Sequence, residues 1–187
     1  MLDKNNLVQW QIHSPNGHVY PWWVHSCLEE IEKWDWSDKN VLEFGSGWSS
    51  IWMASKSKQV ISIEAKEDWT NDVREYAEAN GITNLTVLYR QTNEGDQSKV
   101  NYYTECPKGF KPDVVTVDGV LRNECLAMAL KLPRPLTIIA DNWFQDWIWM
   151  SPAAVELMSP YEAQIYVQED HTDNEGNKWK TAIWHLK

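Results

Sequence analysis

Short runs of branched apolar residues recur along this chain, separated by longer stretches in which apolar residues fall at helical intervals. Residues 41–44 (VLEF) read as a buried strand, broken by a tight turn at Gly45 and Gly47. Ser49 and Ser50 are N-cap residue types, and Ile51, Trp52 and Ala54 open a helix. Residues 59–65 (QVISIEA) predict a second strand ending in Glu64, and 66–81 a helix with Gly81 as its stop. Residues 84–90 predict a third strand. The polar stretch 91–110 has no period and predicts a long loop, with room for one helical turn. Residues 113–118 (DVVTVD) predict a fourth strand, followed by Gly119 and a helix over 121–132 that Pro133 and Pro135 stop. A fifth strand, 136–140 (LTIIA), runs into Asp141 and Asn142, and a short helix follows over 152–158. Strands over 161–168 and 179–186, joined by an Asn-rich turn with Gly176, predict a closing antiparallel hairpin.

Before the first strand, residues up to about 17 read as an irregular arm. The segment YPWWVHSCLEEIEKW predicts a helix over about 22–33, with Pro21 near its start. This helix is expected over the mouth of the sheet, with Tyr20 to Trp23 near a ligand. The alternative is that these aromatics only seal the core edge. Five strands alternating with helices, then a hairpin, indicate an α/β fold with a mainly parallel sheet covered on both faces. The expected organisation is one domain over 1–187: an arm (1–20), a covering helix (21–36) and the sheet core (40–187).

Composition narrows the partners. With 187 residues and 43% apolar side chains the chain can bury a core of its own. A net charge of −10 and a pI near 4.9 disfavour nucleic acid, whose phosphates an acidic surface repels. Cys27, Cys106 and Cys125 form no CxxC pair and no metal spacing, which fits reduced thiols in a cytoplasmic protein. No signal peptide and no apolar run of ~18 residues is seen, so no membrane association is expected. Thirteen tryptophans suit both a core and a pocket for a flat ligand.

The strand ends carry the chemistry. Gly45/Gly47, Glu64, Asp118 and Asp141–Asn142 each follow an apolar strand directly, and in a parallel sheet such ends share one edge, with neighbouring strands ~4.8 Å apart. A glycine turn leading into a helix N-terminus offers free N–H groups there. An acid on the next strand, like Glu64, can accept both hydroxyls of a ribose. A dinucleotide fingerprint would want a third glycine where Ser50 stands.

These residues resemble class I S-adenosylmethionine-dependent methyltransferases. The pattern E-x-G-x-G at Glu43 to Gly47, with Ser49 after it, looks like their first motif. Glu64 looks like their ribose-binding acid, and VTVDG and IIADNW look like their fourth and fifth strand motifs. The resemblance implies a Rossmann-like, doubly wound, seven-stranded sheet of order 3-2-1-4-5-7-6. It implies S-adenosyl-L-methionine as cofactor and transfer to an oxygen or nitrogen of a small or medium-sized acceptor. The turn Gly45–Ser46–Gly47, with Ser49, would lie against the amino acid part, and Glu43 near the ammonium. Glu64 would hold the ribose, Ala65 and Trp69 would lie by the adenine, and Gln91 and Thr92 at its edge. Asp118 would face the sulfonium. Asp118 and Asp141 are the candidate catalytic bases. Asp118, Asp141 and Asn142 also resemble the metal triplet of the catechol O-methyltransferase-like branch, which implies Mg²⁺ or Ca²⁺. Arg122 leaves a second arrangement open, in which it neutralises the carboxylates, Asp118 orients the sulfonium or acceptor, and Asp141–Asn142 caps the next segment. Trp143, Phe144, Trp147 and Trp149 read equally as an acceptor wall or as a buried helix face. Two other functions stay open: an S-adenosyl-binding interaction module without transfer activity, and an NAD-dependent oxidoreductase.

Overall fold

A computed structural model of the chain describes residues 12–13, 19–143, 151–172 and 178–187. Its centre is a seven-stranded sheet of order β5-β4-β3-β6-β7-β9-β8. The strands are β3 (Asn40–Phe44), β4 (Gln59–Glu64), β5 (Leu85–Tyr89), β6 (Val114–Val117), β7 (Leu136–Asp141), β8 (Ala163–Thr172) and β9 (Lys178–Leu186). β3 to β7 are parallel, and β9 pairs antiparallel with both β7 and β8. Counted from β3, this is the order 3-2-1-4-5-7-6 that the resemblance implies. In the N-terminal arm, β1 (Ile12–His13) pairs antiparallel with β2 (Val19–Tyr20), so a segment expected to be irregular contains a small ladder.

The chain enters the sheet at β3, builds outward through β4 to β5, then crosses back to lay β6 on the other side of β3. The β3/β6 boundary is therefore the switch point at which open α/β sheets leave a crevice beyond their carboxyl ends.

Side-chain alternation along the strands decides what lines that crevice. Leu42, Phe44, Ile61, Ile63, Val115, Val117, Ile138 and Ala140 pack into one core layer with Tyr103, Leu126 and Trp184. Val41, Val60, Val114, Ile139 and Ile183 pack into the opposite layer with Trp23, Ile31, Trp36, Trp52 and Met53. Glu43, Glu64, Asp118 and Asp141 carry the parity of Val41, Val60, Val114 and Ile139. All four acids thus belong to the face covered by α1 (His25–Ile31), α2 (Trp48–Ala54) and the Trp22–Trp23 segment.

Three helices depart from expectation. α1 starts at His25 rather than Trp22, because Trp23 and the Val24 N–H are engaged by groups at the sheet edge. α2 starts at Trp48, with Gly47 as N-cap and the Ser50 hydroxyl accepting the Gly47 N–H at 3.0 Å. Ser49 and Ser50 therefore lie inside the helix and not at its cap. The stretch expected to be a loop holds the eight-residue helix α4 (Gln97–Thr104), whose N-cap Asp96 accepts the N–H groups of Ser98 and Lys99. The remaining helices are α3 (Glu67–Ala79), α5 (Arg122–Ala129) and α6 (Pro152–Met158). Gly81 follows α3 at φ +67°, the left-handed stop that the sequence predicts.

Candidate functional site

The turn after β3 and the turn after β6 touch. At Gly45 (φ +92°) a Cβ would stand 2.6 Å from the Gly119 Cα and N. At Gly119 a Cβ would meet the Tyr103 hydroxyl at 2.7 Å and Gly45 at 2.8 Å. Glycine at both positions is what lets the two turns close over the switch point. Two backbone bonds hold them there: Gly45 N to Ile63 O at 2.8 Å and Asp118 N to Phe44 O at 2.9 Å.

Glu64 ties the first turn to β4. One of its oxygens accepts the Ser46 N–H at 2.9 Å and the Ser46 hydroxyl at 3.3 Å. The other accepts the N–H groups of Ala65 at 2.8 Å and Lys66 at 2.9 Å. The first turn of α3 supplies Trp69, whose indole N–H donates to the Ser46 carbonyl and whose ring lies beside Gly47. Gln91 and Thr92 follow β5, next to Glu64, since Arg90 N donates to the Glu64 carbonyl at 2.8 Å. Gln91 is exposed, and the Thr92 hydroxyl is buried without a hydrogen-bond partner among the described residues.

Beneath the turn, Glu43 is wholly buried and its carboxyl accepts hydroxyls from Ser49, Ser50 and Ser62. Burial pushes its pKa up to about 8, against the pull of the three serines.

On the far side of the switch point, Arg122 folds back over the ends of β6 and β7. Its Nε donates to the Gly119 carbonyl at 2.8 Å. Nη1 donates to the Asp141 carbonyl at 2.5 Å and to Asn142 Oδ1 at 3.2 Å. Nη2 donates to the Asp118 carbonyl at 2.8 Å and to Asp118 Oδ1 at 3.2 Å. All five N–H groups of the guanidinium are thereby satisfied. The other oxygen of Asp118 accepts the Trp23 indole N–H at 3.1 Å. Asp141 turns the other way and accepts the Thr181 hydroxyl at 2.6 Å, and Thr181 in turn accepts the Val24 N–H at 3.2 Å.

Burial raises the pKa of both aspartates. For Asp118 the charge of Arg122 and the Trp23 hydrogen bond oppose it. For Asp141 the charge of Asp118 adds to it. Arg122 bonds the side chain of Asp118 but only the backbone of Asp141, so Asp118 carries the negative charge of the pair and Asp141 holds its proton to higher pH.

A cavity of about 270 Å³ opens between the two turns, lined by Trp22, Ser46, Gly47, Trp48, Ser49, Trp69 and Asp118. Among the described residues Asp118 is the one charged lining group. The structure thus brings together Ser46, Gly47, Ser49, Trp69 and Asp118 from the expected set, with Gly45, Glu64 and Ala65 directly behind them. Asp141, expected as a base, stands off the cavity. Trp22 lines the cavity and Trp23 bonds Asp118, as the expectation of Tyr20 to Trp23 near a ligand has it, while Trp48 and Gly119 are functional candidates that the strand-end reading missed. The glycine could have been read as a close-approach position opposite Gly45. Trp48 had no sequence signal separating it from core residues.

The metal expectation for Asp118, Asp141 and Asn142 finds no support in this arrangement. Asp118 Oδ1 and Asn142 Oδ1 face a guanidinium, Asp118 Oδ2 faces an indole N–H, and Asp141 Oδ1 faces a hydroxyl. Hydrogen-bond donors take the oxygens that a hard cation would need, and a fixed cation already lies among them. No group of three or more His, Cys, Asp or Glu side chains placed to hold a metal ion occurs among the described residues, a count that does not include Asn142. Of the proposed acceptor wall, Trp143 packs edge-on against Trp184 at 4.8 Å in the core. Phe144, Trp147 and Trp149 lie outside the described residues. Among the described residues no helix is long and apolar enough to cross a membrane.

No family model matches the sequence. A stretch of 77 residues is 35% identical to an uncharacterised RNA methyltransferase of Protochlamydia amoebophila, covering 41% of this chain and 16% of that protein. The match therefore spans less than a fifth of that relative's length. Among solved structures, a methyltransferase-like protein from Silicibacter pomeroyi superposes with a TM-score of 0.60 at 20% identity, covering 90% of this chain and 89% of that one. The N-methyltransferase NodS from Bradyrhizobium japonicum superposes with a TM-score of 0.63 at 10% identity, over 87% and 93% of the two chains. The chain has the fold these methyltransferases share.

Proposed function

We propose that this chain is an S-adenosylmethionine-dependent methyltransferase acting on an oxygen or nitrogen of a small or medium-sized acceptor. The observation that carries the reading is the cavity between the Gly45–Gly47 and Asp118–Gly119 turns, with a single carboxylate and no basic side chain among the described residues of its walls. Such a lining suits a cationic ligand. At about 270 Å³ the cavity is smaller than the ~300–1,000 Å³ of sites that enclose a whole drug-sized ligand. It matches the amino acid and sulfonium end, which leaves the nucleoside to Glu64, Ala65 and Trp69. Glu64 would accept the ribose hydroxyls in exchange for its 3.3 Å contact with the Ser46 hydroxyl. The N–H groups of the turn and Ser49 would meet the amino acid, and Asp118 the positive end.

The cofactor, when bound, supplies a methyl group on a positively charged sulfur, and in-line placement of an acceptor is the main requirement. Asp118 is the group placed to take the acceptor's proton. No step is assigned to a metal ion. The acidic chain favours a small-molecule acceptor over nucleic acid, although the curated relative is named an RNA methyltransferase. A second reading, an S-adenosyl-binding module without transfer activity, is favoured by one observation: Asp141 turns away, which leaves Asp118 as the one candidate base on the cavity among the described residues.

Calorimetric titration with S-adenosylhomocysteine, with NAD⁺ as control, tests the reading. Micromolar binding of the former and none of the latter is expected, and the reverse result would replace the methyltransferase by an oxidoreductase. Glu64→Ala should weaken binding at least about tenfold, the scale of one charge-assisted hydrogen bond. Product formation across a panel of hydroxyl and amine acceptors separates the enzyme from the binding module.

A further inference from the structure

Asp118 is held in a way that ligand binding at the cavity does not itself require. One oxygen is bonded by Arg122 from the following helix, at 3.2 Å, and the other by Trp23 from the segment preceding α1, at 3.1 Å. One donor is remote in the chain and one is local, 95 residues away for Trp23 and four residues away for Arg122. Trp23 is 3% exposed and Arg122 6% exposed, while the Asp118 side chain keeps a quarter of its surface open to the cavity. The indole has a single N–H, and it is spent on this carboxylate. The guanidinium is fully committed to the ends of β6 and β7, so neither group is free to bind a ligand. What they fix is the direction in which one negative charge points.

We infer that Trp23 and Arg122 are positioning residues that hold the Asp118 carboxylate in the cavity wall, and that this fixed anion makes the site select the sulfonium form of the cofactor over the neutral thioether product. The inference rests on the methyltransferase reading and adds the residues that set its charge selectivity. Arg122 stands among the oxygens that a divalent cation would otherwise share. Here the fixed cation belongs to the protein, and it orients the carboxylate without covering its open side. Trp23 makes the orientation depend on the segment before α1. The Val24 N–H pins that segment to Thr181, and Thr181 to Asp141.

Calorimetry on the full chain with S-adenosylmethionine and, separately, S-adenosylhomocysteine tests this, because the ligands differ by one methyl group and one positive charge. Trp23→Phe keeps the packing and removes the N–H. It should lower the affinity for the sulfonium form about tenfold relative to the thioether, the scale of one hydrogen bond to a charged group. Asp118→Asn should lower the ratio at least as much. Arg122→Lys should retain more of the ratio than Arg122→Met, and Trp23→Phe covers the case in which Arg122 variants fail to fold. If both affinities fall by the same factor in Trp23→Phe and Asp118→Asn, or if neither changes, the positioning role is overturned. If the unaltered chain binds neither ligand, the methyltransferase reading fails and this inference with it. If it binds both and the variants leave their ratio intact, only this inference fails.

Discussion

Glu43 is a carboxyl group shut off from bulk solvent, held by three serine hydroxyls under the turn that forms the cavity floor. Its pKa, about 8 in the fold against 4.5 as the ordinary value, ties stability to pH. The native carboxyl keeps its proton through a range where the unfolded one has lost it. Its contribution is therefore complete below pH 4.5 and is lost as the pH rises to about 8, at up to about 1.4 kcal/mol per pH unit. Glu43→Gln keeps a neutral group of the same shape and should flatten that decline. Urea midpoints at pH 6 and pH 9 check it: the variant should lose less stability between them than the unaltered chain. A second consequence at this scale concerns Gly119. A methyl there meets backbone at 2.8 Å and the Tyr103 hydroxyl at 2.7 Å. Gly119→Ala should cost about 2 kcal/mol or more, the cost of overpacking a closed contact, and should weaken S-adenosylhomocysteine binding as the turns part. A variant of unchanged stability and affinity would show that the turns do not need their contact.

At the scale of elements, two buried arginines join chain segments through carbonyl groups. Arg122 binds the ends of β6 and β7. Arg90, at the end of β5, donates from Nη1 to the carbonyls of Tyr102, at 2.9 Å, and Glu105, and so closes the C-terminus of α4. That helix sits in a stretch whose sequence has no apolar period, and its residue pattern gives it little amphipathic support. Val100 and Tyr103 anchor it to the core, and Arg90 and Asp96 satisfy its ends. Arg90→Met should cost about 2–3 kcal/mol, since hydrogen bonds from a charged donor are lost and carbonyls are left unpaired. The loss should concentrate in α4, where hydrogen exchange of residues 97–104 should accelerate more than exchange in β3 to β7. Uniform acceleration would mean that Arg90 supports the whole sheet rather than this helix.

For the whole molecule, the seven-stranded order sets which strand ends can meet, and the switch point between β3 and β6 is where they do. The internal guanidinium makes a prediction about ions at this scale. Calorimetric affinity for S-adenosylhomocysteine should be the same in EDTA as in millimolar Mg²⁺, because Arg122 is already bonded to Asp118 and Asn142. A Mg²⁺-dependent gain of tenfold or more would mean that the arginine yields its place to a cation and would restore the metal triplet.

The sequence alone determined the strands, the glycine turn and the acids at the strand ends. Apolar runs bounded by Gly45, Glu64, Asp118 and Asp141 state locally what each segment must do, and alternation along a strand is a local property. The stop at Gly81 and the helix over Pro152–Met158 were legible for the same reason. What a side chain does at the sheet edge depends on what approaches it from elsewhere in the chain, and that only the tertiary structure decided. Asp118 and Asp141 look alike in sequence, each an acid ending a strand. Trp23 and Arg122 hold the first facing the cavity, while Thr181 draws the second inward. Gly119 looks like a common turn residue until Gly45 lies against it. α4 was missed because its ends are satisfied by Arg90, from another element, and by a cap that precedes a stretch with no helical period. Triads of oxygen ligands and arginine-filled clusters can share the same carboxylates. The distinction lies in whether the nearby Arg122 guanidinium folds back onto them, which the sequence left open and the structure shows.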